Sequence, residues 1–270
     1  MPQHPLDEQR RIADFLDDRV ARIDQIIAAR RQQATLAEEA MATSWAQASR
    51  ELEETYCLVP MRRFLRNIVD GPFGSSLTSS HYTDEGTRVI RLGNIGIARF
   101  KDLDKAYIAD DYGQTLSQHA VHPGDLLMAG LGDSTWPLGR CAVAPENLGP
   151  AIVKADCYRI RLDASVDHAF AAAFLSNPTA RGRAQLLSRG ATRARLNTDI
   201  APESLIPPIP IRQQLAYVHE LARWQNELDG TQLALEHSID LLTEYKSSLI
   251  TAAVTGELDV TTASRRIPGE

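Results

Sequence analysis

The chain has 270 residues, of which 43% are hydrophobic and 24% charged, a balance typical of globular proteins. No apolar run approaches the roughly 20 residues that cross a membrane, and the polar N-terminus lacks the apolar core of a secretory signal. Three scattered cysteines form neither a disulfide framework nor a zinc-binding spacing and fit a reducing compartment. We therefore expect a cytoplasmic protein with no membrane contact and no metal site.

Residues 1–59 are predicted to form one long helix, the first arm of a coiled coil. Pro5 precedes the helix, and Asp7 and Glu8 place negative charge in its first turn. A helix over about residues 7–54 would be roughly 70 Å long and could not cover its own apolar stripe, so it needs a partner helix. The stripe recurs at steps of mostly three and four: Ile12, Leu16, Val20, Ile23, Ile27, Ala34, Ala37, Met41, Trp45, Ala48 and Leu52.

Residues 206–260 supply the candidate partner helix, which follows the proline-rich stretch "IPPIPIRQQ". Gly256 is a plausible C-terminal stop, and residues 261–270 are predicted to be a disordered tail. The two helices can run antiparallel as a coiled-coil stalk. The second apolar stripe consists of Leu215, Val218, Leu221, Leu228, Leu235, Ile239, Leu242, Leu249 and Val254.

Residues 60–205 have a different sequence pattern, which predicts a globular α+β or α/β domain between the two helices. Short β-type runs alternate with turns rich in Gly, Pro and Asp, and the run "HAFAAAFLSN" is typical of a helix. The β-type runs are "TRVIRL", "DLLMAG", "RCAVA" and "CYRIRL".

Charge is distributed unevenly along the chain. Residues 60–205 carry 17 basic and 15 acidic side chains, a net charge of +2, whereas residues 1–59 and 206–270 each carry −4. Residues 176–198 contain no Asp or Glu but hold five arginines: Arg181, Arg183, Arg189, Arg193 and Arg195. A local basic excess in an acidic chain favours a phosphate-binding face on the middle domain.

Two loops are the main candidates for such a face. Arginine forks suit phosphate oxygens and the O6/N7 edge of guanine, glycine allows close backbone approach, and hydroxyl groups donate to phosphate. A solvated arginine face or surface ion pairs remain the alternative for the first loop, and simple turns for the second. The first loop offers Ser188, Arg189, Gly190, Thr192, Arg193 and Arg195; the second offers Phe73, Gly74, Ser75 and Ser76; Ser134 and Trp136 are weaker candidates.

The sequence contains no catalytic motif that we recognise. The run "GLGDSTWPLG" lacks the lysine and spacing of a phosphate-binding loop, and no nucleophile elbow is present. Asp240, Glu244 and Lys246 lie within the predicted second helix, where a solvated face explains them better than a nuclease site. We expect no catalytic residue in this chain.

Five segments resemble type I restriction–modification specificity subunits, in the order of that family and over nearly the whole chain. They cover the family's first helical region, the start and centre of its target recognition domain, the return into the second helix, and the C-terminus. The segments are "PLDEQRRIADFLDDRVARIDQIIAARRQQ", "GPFGSSLTSSHYTDEGTRVIRLGNIG", "GDLLMAGLGDSTWPLGRCAVA", "GATRARLNTDIAPESLIPPIPIRQQ" and "LLTEYKSSLITAAVTGELDV".

The resemblance implies a non-catalytic subunit that reads double-stranded DNA. In that family each recognition domain reads one half of a bipartite target, and the helices set the spacing and bind modification subunits. The modification subunits carry S-adenosylmethionine, and the restriction subunit carries ATP and magnesium. No cofactor is expected in this chain.

The sequence departs from the family in holding a single recognition domain, which predicts a half-subunit. Arg212 also stands where the family places an acidic residue at the start of the second helix. A half-subunit must form a homodimer or pair with a second half, or else be a nonfunctional remnant. A coiled-coil scaffold that reads no DNA, and a cryptic nuclease or methyltransferase, are the competing hypotheses.

Overall fold

The structure is a computed structural model that describes residues 5–133, 135–188 and 194–260. It divides into two compact units, the helical unit (residues 1–41 and 223–270) and the sheet unit (residues 42–222). In chain order the helices and strands are α1 (Leu6–Thr55), β1 (Val59–Pro60), β2 (Leu65–Val69), β3 (Tyr82–Thr83), β4 (Thr87–Ile90), β5 (Tyr107–Ile108), α2 (Asp110–Thr115), β6 (Ala120–Val121), β7 (Leu126–Ala129), β8 (Cys141–Val143), β9 (Ala151–Val153), β10 (Cys157–Leu162), α3 (His168–Ser176), α4 (Pro178–Leu187), β11 (Leu205–Ile206) and α5 (Ile211–Thr255).

The expected fold class is confirmed: a mixed helix and sheet region is flanked in sequence by two long helices. The backbone C=O of Pro5 accepts the N–H groups of Glu8 and Gln9 as α1 begins. Gly256 follows the last residue of α5 with a φ of 78°, the left-handed conformation that glycine adopts at helix ends. Local sequence signals therefore mark the start of α1 and the end of α5. None of the helices in the described part of the chain is both long and apolar enough to cross a bilayer.

Within the helical unit, α1 and α5 run antiparallel and bury parts of both predicted stripes. Ile23 and Ile27 of α1 form a cluster with Leu242 and Leu249 of α5. Nζ of Lys246 lies 2.7 Å from a carboxylate oxygen of Asp24 at the edge of this cluster. Whether the contact has coiled-coil geometry stays a prediction.

Two members of the predicted second stripe are exposed, which corrects the periodicity argument. Leu215 is 51% exposed and Val254 is 44% exposed, whereas the neighbouring Gln214 is 1% exposed. The side-chain amide of Gln214 donates to the backbone C=O of Ser165 and Ile209 and accepts the N–H of Asp167. Because these bonds satisfy the amide, its burial is tolerated where the sequence pattern favours leucine.

The sheet unit contains two main sheets. A four-stranded antiparallel sheet has the order β2-β10-β7-β8, and a five-stranded sheet has the order β3-β5-β4-β9-β6. In the second sheet β4 and β9 are parallel, and the other pairs are antiparallel. A third, two-stranded sheet pairs Val59 with Ile206 and Pro60 with Leu205, which joins the chain before the main sheets to the chain after them.

The core of the sheet unit lies between the two main sheets and continues under α3. Ile90 and Val153 of the five-stranded sheet contact Leu127 and Ala142 of the four-stranded sheet. The helix α3 packs on β7 and β8. Asp167 caps α3 by accepting the N–H of Phe170, and Asn177 caps α4 by accepting the N–H of Ala180.

Candidate nucleic-acid interface

The loop after β2 presents an aromatic ring at the surface. A side chain at Gly71 would place its Cβ 2.1 Å from the carbonyl carbon of Lys154, so only glycine allows the loop to pass this close to β9. Phe73 follows and is 51% exposed. Gly74–Ser76 then form a short 3₁₀ turn with no buried residue, so the predicted Gly74, Ser75 and Ser76 are accessible.

Arg195 is the predicted arginine that the structure brings to this loop. The next residue, Leu196, fixes the position of the Arg195 backbone. The side chain of Leu196 is fully buried, its N–H donates to the C=O of Gly130, and its C=O accepts the hydroxyl of Tyr158 at 2.5 Å. The guanidinium of Arg195 lies 5.6 Å from the ring centroid of Phe73, within the range of a cation–π contact. Two predicted residues, 122 positions apart in sequence, thus meet at one place.

Asp156, which sequence reasoning missed, supplies the negative charge beside Arg195. Nε of Arg195 lies 2.7 Å from Oδ1 of Asp156, with the two side chains 46% and 20% exposed. Asp156 adopts a φ of 65° in the turn between β9 and β10, a conformation that Asp and Asn tolerate better than most residues. Its backbone N–H donates to Oδ1 of Asp70. We call Asp70, Phe73, Asp156 and Arg195 the Phe73–Arg195 cluster.

Asp70 titrates unusually within this cluster. Burial raises the pKa of Asp70 to about 6, and the nearby Asp156 carboxylate acts in the same direction. The N–H groups of Gly71 and Asp156, both bonded to Oδ1, and the charge of Arg195 only partly oppose this rise. A mildly acidic medium therefore changes the charge beside Arg195.

Trp136 occupies a second exposed position, on the loop between β7 and β8. The carboxylate of Asp133 accepts the N–H groups of Thr135 and Trp136 and so fixes the turn. The indole is 39% exposed, and Nζ of Lys101 lies 3.9 Å from its ring centroid. Burial, followed by the charges of Arg140 and Arg99, lowers the pKa of Lys101. An amine held on an aromatic face is a second polar and aromatic pair at the surface.

Backbone contacts connect these two places. Leu131 forms an antiparallel bridge with Arg195, and the N–H of Gly132 donates to the C=O of Ala194. The Trp136 loop therefore begins beside Arg195, although the described ring contacts of Trp136 are with Lys101 and Arg140.

The remaining predicted residues are distributed differently. Ser188 ends α4, where its hydroxyl donates to the C=O of Gln185. Arg183 belongs to the same arginine-rich run but makes a two-pronged ion pair with Glu53 of α1, at 2.9 and 2.7 Å. It therefore contributes to packing within the sheet unit. Ser134, Arg189, Gly190, Thr192 and Arg193 lie outside the described residues.

Comparison with known proteins gives structural likeness without sequence matches. No protein-family model and no curated protein sequence matches the chain. A chain from a structural study of complex assembly and conformational transition of the type I R-M system superposes with a TM-score of 0.71 at 18% identity. The HsdS subunit from Thermoanaerobacter tengcongensis superposes with a TM-score of 0.54 at 21% identity. The chain has the fold of type I restriction–modification S subunits.

The likeness extends over 96% of this chain in both comparisons but over 62% and 61% of the two matched chains. The chain thus spans about three fifths of the length of the solved chains that it matches. The expected resemblance in fold to the S subunits is confirmed by structure.

Asp70, Asp156 and Lys101 are the residues that sequence reasoning did not single out. None of them was indicated by a motif, and each acquires its role from a partner that is distant in sequence. The only available signal for Asp156 was the turn composition of "KADC" before a β-type run, which predicts a hairpin and says nothing about charge pairing.

Proposed function

We propose that this chain is a sequence-specific DNA-recognition subunit of a type I restriction–modification complex and that its sheet unit reads one half of a bipartite target. The fold of the S subunits supports the class of protein. The observation that carries the DNA-binding proposal is the Phe73–Arg195 cluster, in which a half-exposed guanidinium next to the buried Leu196 lies against an exposed ring. Such an arginine can donate two parallel bonds to a guanine edge or to a phosphate.

Asp156 gives this arginine a selective character. Before DNA binds, the carboxylate of Asp156 lies beside Arg195 and offsets its charge. DNA must replace this contact with one that is at least as favourable. A single, poorly aligned acceptor gains little from the exchange, whereas two aligned acceptors gain more, so the ion pair favours a duplex that offers them.

The helices are proposed to bind the modification subunits. Several large apolar side chains of the helical unit remain exposed, including Leu36 at 52%, Leu233 at 69% and Leu241 at 53%. These side chains are candidate contacts for a modification subunit. The chain itself performs no chemistry in this proposal: S-adenosylmethionine belongs to the modification subunits, and ATP and magnesium belong to the restriction subunit.

A second recognition domain is needed to read a bipartite target. We propose that a second copy of the chain supplies the second sheet unit. Pairing with a different half-subunit predicts an asymmetric target, and a nonfunctional remnant predicts no target.

The decisive experiment is methylome sequencing of a methylation-free host that expresses this chain with its cognate modification subunit and no other specificity subunit. We expect a bipartite, palindromic methylated motif, because two identical copies read identical half-sites. If both proteins are in solution and no motif appears, the homodimer proposal fails. A candidate second half added to the same host then separates a heterodimer from a remnant.

The role of the cluster is tested on the same motif with purified protein. Arg195→Met should cost about 1–3 kcal/mol of binding and relax one position of the motif if Arg195 contacts a base. Asp156→Asn should strengthen binding to unrelated duplexes. It should therefore reduce the ratio of the affinity for the motif to the affinity for unrelated duplexes. Arg223→Met, which removes a surface arginine of the helical unit, is the matched control. Unchanged affinity and unchanged motif in Arg195→Met would remove the cluster from the interface.

A salt series addresses the scaffold hypothesis. If the sheet unit contacts phosphates, log K for DNA falls linearly with log salt. A scaffold that binds only protein shows no DNA affinity at low salt.

A further inference from the structure

A small polar cavity of about 140 Å³ opens beside β4, apart from the Phe73–Arg195 cluster. Its charged and polar lining comes from Arg88 of β4, Asp102 and Lys105 of the following loop, Tyr107 of β5, and Asn147 of the loop before β9. Since a water molecule occupies about 30 Å³ in the liquid, the cavity can hold a group several times larger than one water.

Arg88 lines this cavity as a buried and poorly paired cation. Its side chain is 4% exposed, and Nη2 makes one long hydrogen bond, 3.3 Å to the C=O of Leu103. The carboxylate of Asp102 is 3.4 Å from Nη2, and Nε has no hydrogen-bond partner among the described residues. The ring of Tyr107 lies 5.5 Å from the guanidinium carbon.

Arg140 shows what a fully paired buried arginine looks like in the same unit. It is 2% exposed, and its guanidinium donates to four backbone carbonyls, those of Leu92, Ile95, Leu131 and Pro137. A buried guanidinium is costly unless its donors are satisfied. Arg88 is comparably buried but makes fewer hydrogen bonds. Among the described residues, its Nε has no acceptor.

Asp102 does not fill this role. Its side chain is 59% exposed, and its other oxygen lies 2.8 Å from Nζ of Lys105. This contact with Lys105 lowers the pKa of Asp102, so its charge is present at neutral pH. With Arg88, Lys105 and Asp102 together, the cavity keeps one net positive charge and therefore favours an anion.

We propose that this cavity is a binding site for a tetrahedral oxyanion of the phosphate class, with Arg88 as the buried donor and Lys105 and Asn147 at the rim. The oxyanion supplies the acceptors that Arg88 lacks. Two sources share this chemistry: a free phosphate or phosphomonoester, and a phosphodiester of a DNA backbone. The site does not depend on the DNA-recognition proposal.

The first test is thermal unfolding of the full chain in inorganic phosphate and in chloride at matched ionic strength. Phosphate should raise the Tm of the wild type, because a ligand that binds only the folded state stabilises it. Arg88→Met, which keeps length and removes charge, should lose this rise and should be at least as stable as the wild type in chloride. Equal Tm values of the wild type in the two salts would overturn the proposal.

Variants at the rim keep the test informative if Arg88→Met does not fold. Lys105→Gln should weaken phosphate binding in calorimetry about tenfold, the loss expected from one charged hydrogen bond. Arg63→Gln, an exposed arginine elsewhere in the sheet unit, is the control and should bind phosphate as the wild type does. Equal affinities in both variants would show nonspecific attraction of phosphate to a basic surface and would also overturn the site.

DNA binding by the same variants identifies the source of the oxyanion. If the ligand is a backbone phosphodiester, Lys105→Gln reduces the salt dependence of log K for duplex DNA by about one unit, and phosphate competes with DNA. If the ligand is free phosphate, the salt dependence stays as in the wild type. The phosphate titration contains no DNA, so a failure of DNA recognition leaves its result interpretable.

Discussion

Some basic side chains of the sheet unit are satisfied differently from the surface ion pairs of the helical unit. In the helical unit, Lys246 pairs with Asp24 and Arg223 with Glu227, both in exposed positions. In the sheet unit, buried Arg140 donates to backbone carbonyls of the surrounding loops. The difference follows from the backbone, because carbonyls inside a helix are already bonded whereas loop carbonyls need donors.

This difference changes the meaning of the basic excess in the middle of the chain. Arg88, Arg140 and Arg159 are 4%, 2% and 6% exposed, so part of the positive charge that suggested a phosphate-binding face is internal. Net charge along a sequence does not distinguish arginines that hold loops together from arginines that meet a ligand. For this chain the distinction depends on the burial and the partners of each arginine: Arg195 pairs with Asp156 and is 46% exposed.

The comparison predicts its largest effect at Arg140. Arg140→Met should cost about 3 kcal/mol or more of unfolding free energy, because it leaves buried carbonyls without donors. Arg223→Met is the matched change in the helical unit and should cost less than about 0.5 kcal/mol. Denaturant unfolding of both variants measures the contrast. Similar losses would mean that the two kinds of arginine are equivalent.

A smaller effect is expected where the long helices contact each other inside the sheet unit. The hydroxyl of Tyr217 accepts Nε1–H of Trp45 at 2.8 Å and lies 2.7 Å from Oγ of Ser49. Burial raises the pKa of Tyr217 to about 12, so the phenol stays neutral. Tyr217→Phe should cost about 2 kcal/mol, because the buried indole N–H loses its acceptor.

The control for this prediction is Tyr56→Phe, whose exposed hydroxyl donates to Gln213. It should change stability by no more than about 0.5 kcal/mol. If both phenylalanine variants unfold at the same denaturant concentration, burial of the hydroxyl is not what stabilises this contact.

Asp70 predicts a pH-dependent effect confined to the sheet unit. Its folded pKa of about 6 lies above the ordinary value of about 3.9, so the folded state binds more protons between these values. The contribution of Asp70 to stability is therefore present below about pH 4 and is lost as pH rises to about 6.

Asp70→Asn keeps an oxygen that can accept both backbone bonds and removes the charge. At pH 7 the variant should be more stable by on the order of 1 kcal/mol, a value that allows for solvent screening of this half-buried carboxyl. Below about pH 4 the two proteins should unfold alike. Asp84→Asn, at an exposed turn, serves as the control across the same pH series, and a gain at every pH would point to a cause other than ionisation.

The smallest effect should be at the surface pair of the helical unit. Asp24→Asn removes the ion pair with Lys246, in which the side chains are 51% and 28% exposed. The expected loss is at most about 0.5 kcal/mol and should vanish in high salt, because exposed charges are screened. A larger, salt-independent loss would show that this pair is as integral to its unit as Arg140 is to the other.

Much of the fold could be predicted because its signals are local. The apolar steps of three and four and the absence of Gly and Pro predict α1, and its observed bounds, Leu6–Thr55, agree with the prediction of about 7–54. The four β-type runs each contain a strand, and "HAFAAAFLSN" contains α3. Domain boundaries at residues 60 and 205 remain predictions, although β1 and β11 pair close to both.

The candidate site could be predicted only in part. Loop residues such as Phe73 and Trp136 could be chosen as candidates from composition and motifs alone. That Phe73 meets Arg195 was not, because no local rule relates two residues so far apart. The burial of Gln214 in place of Leu215 has the same origin, since its three partners come from other parts of the chain.

By itself, the sequence determined the two long helices, the intervening mixed domain and the resemblance to S subunits. These depend on periodicity, turn residues and segment order, which a chain carries before it folds. Tertiary structure alone decided which arginines are internal, that Asp156 faces Arg195, and that Arg88 lines a cavity with few acceptors. The reason is physical: the state of a charged group is set by its burial and its nearest partners, and the fold chooses both.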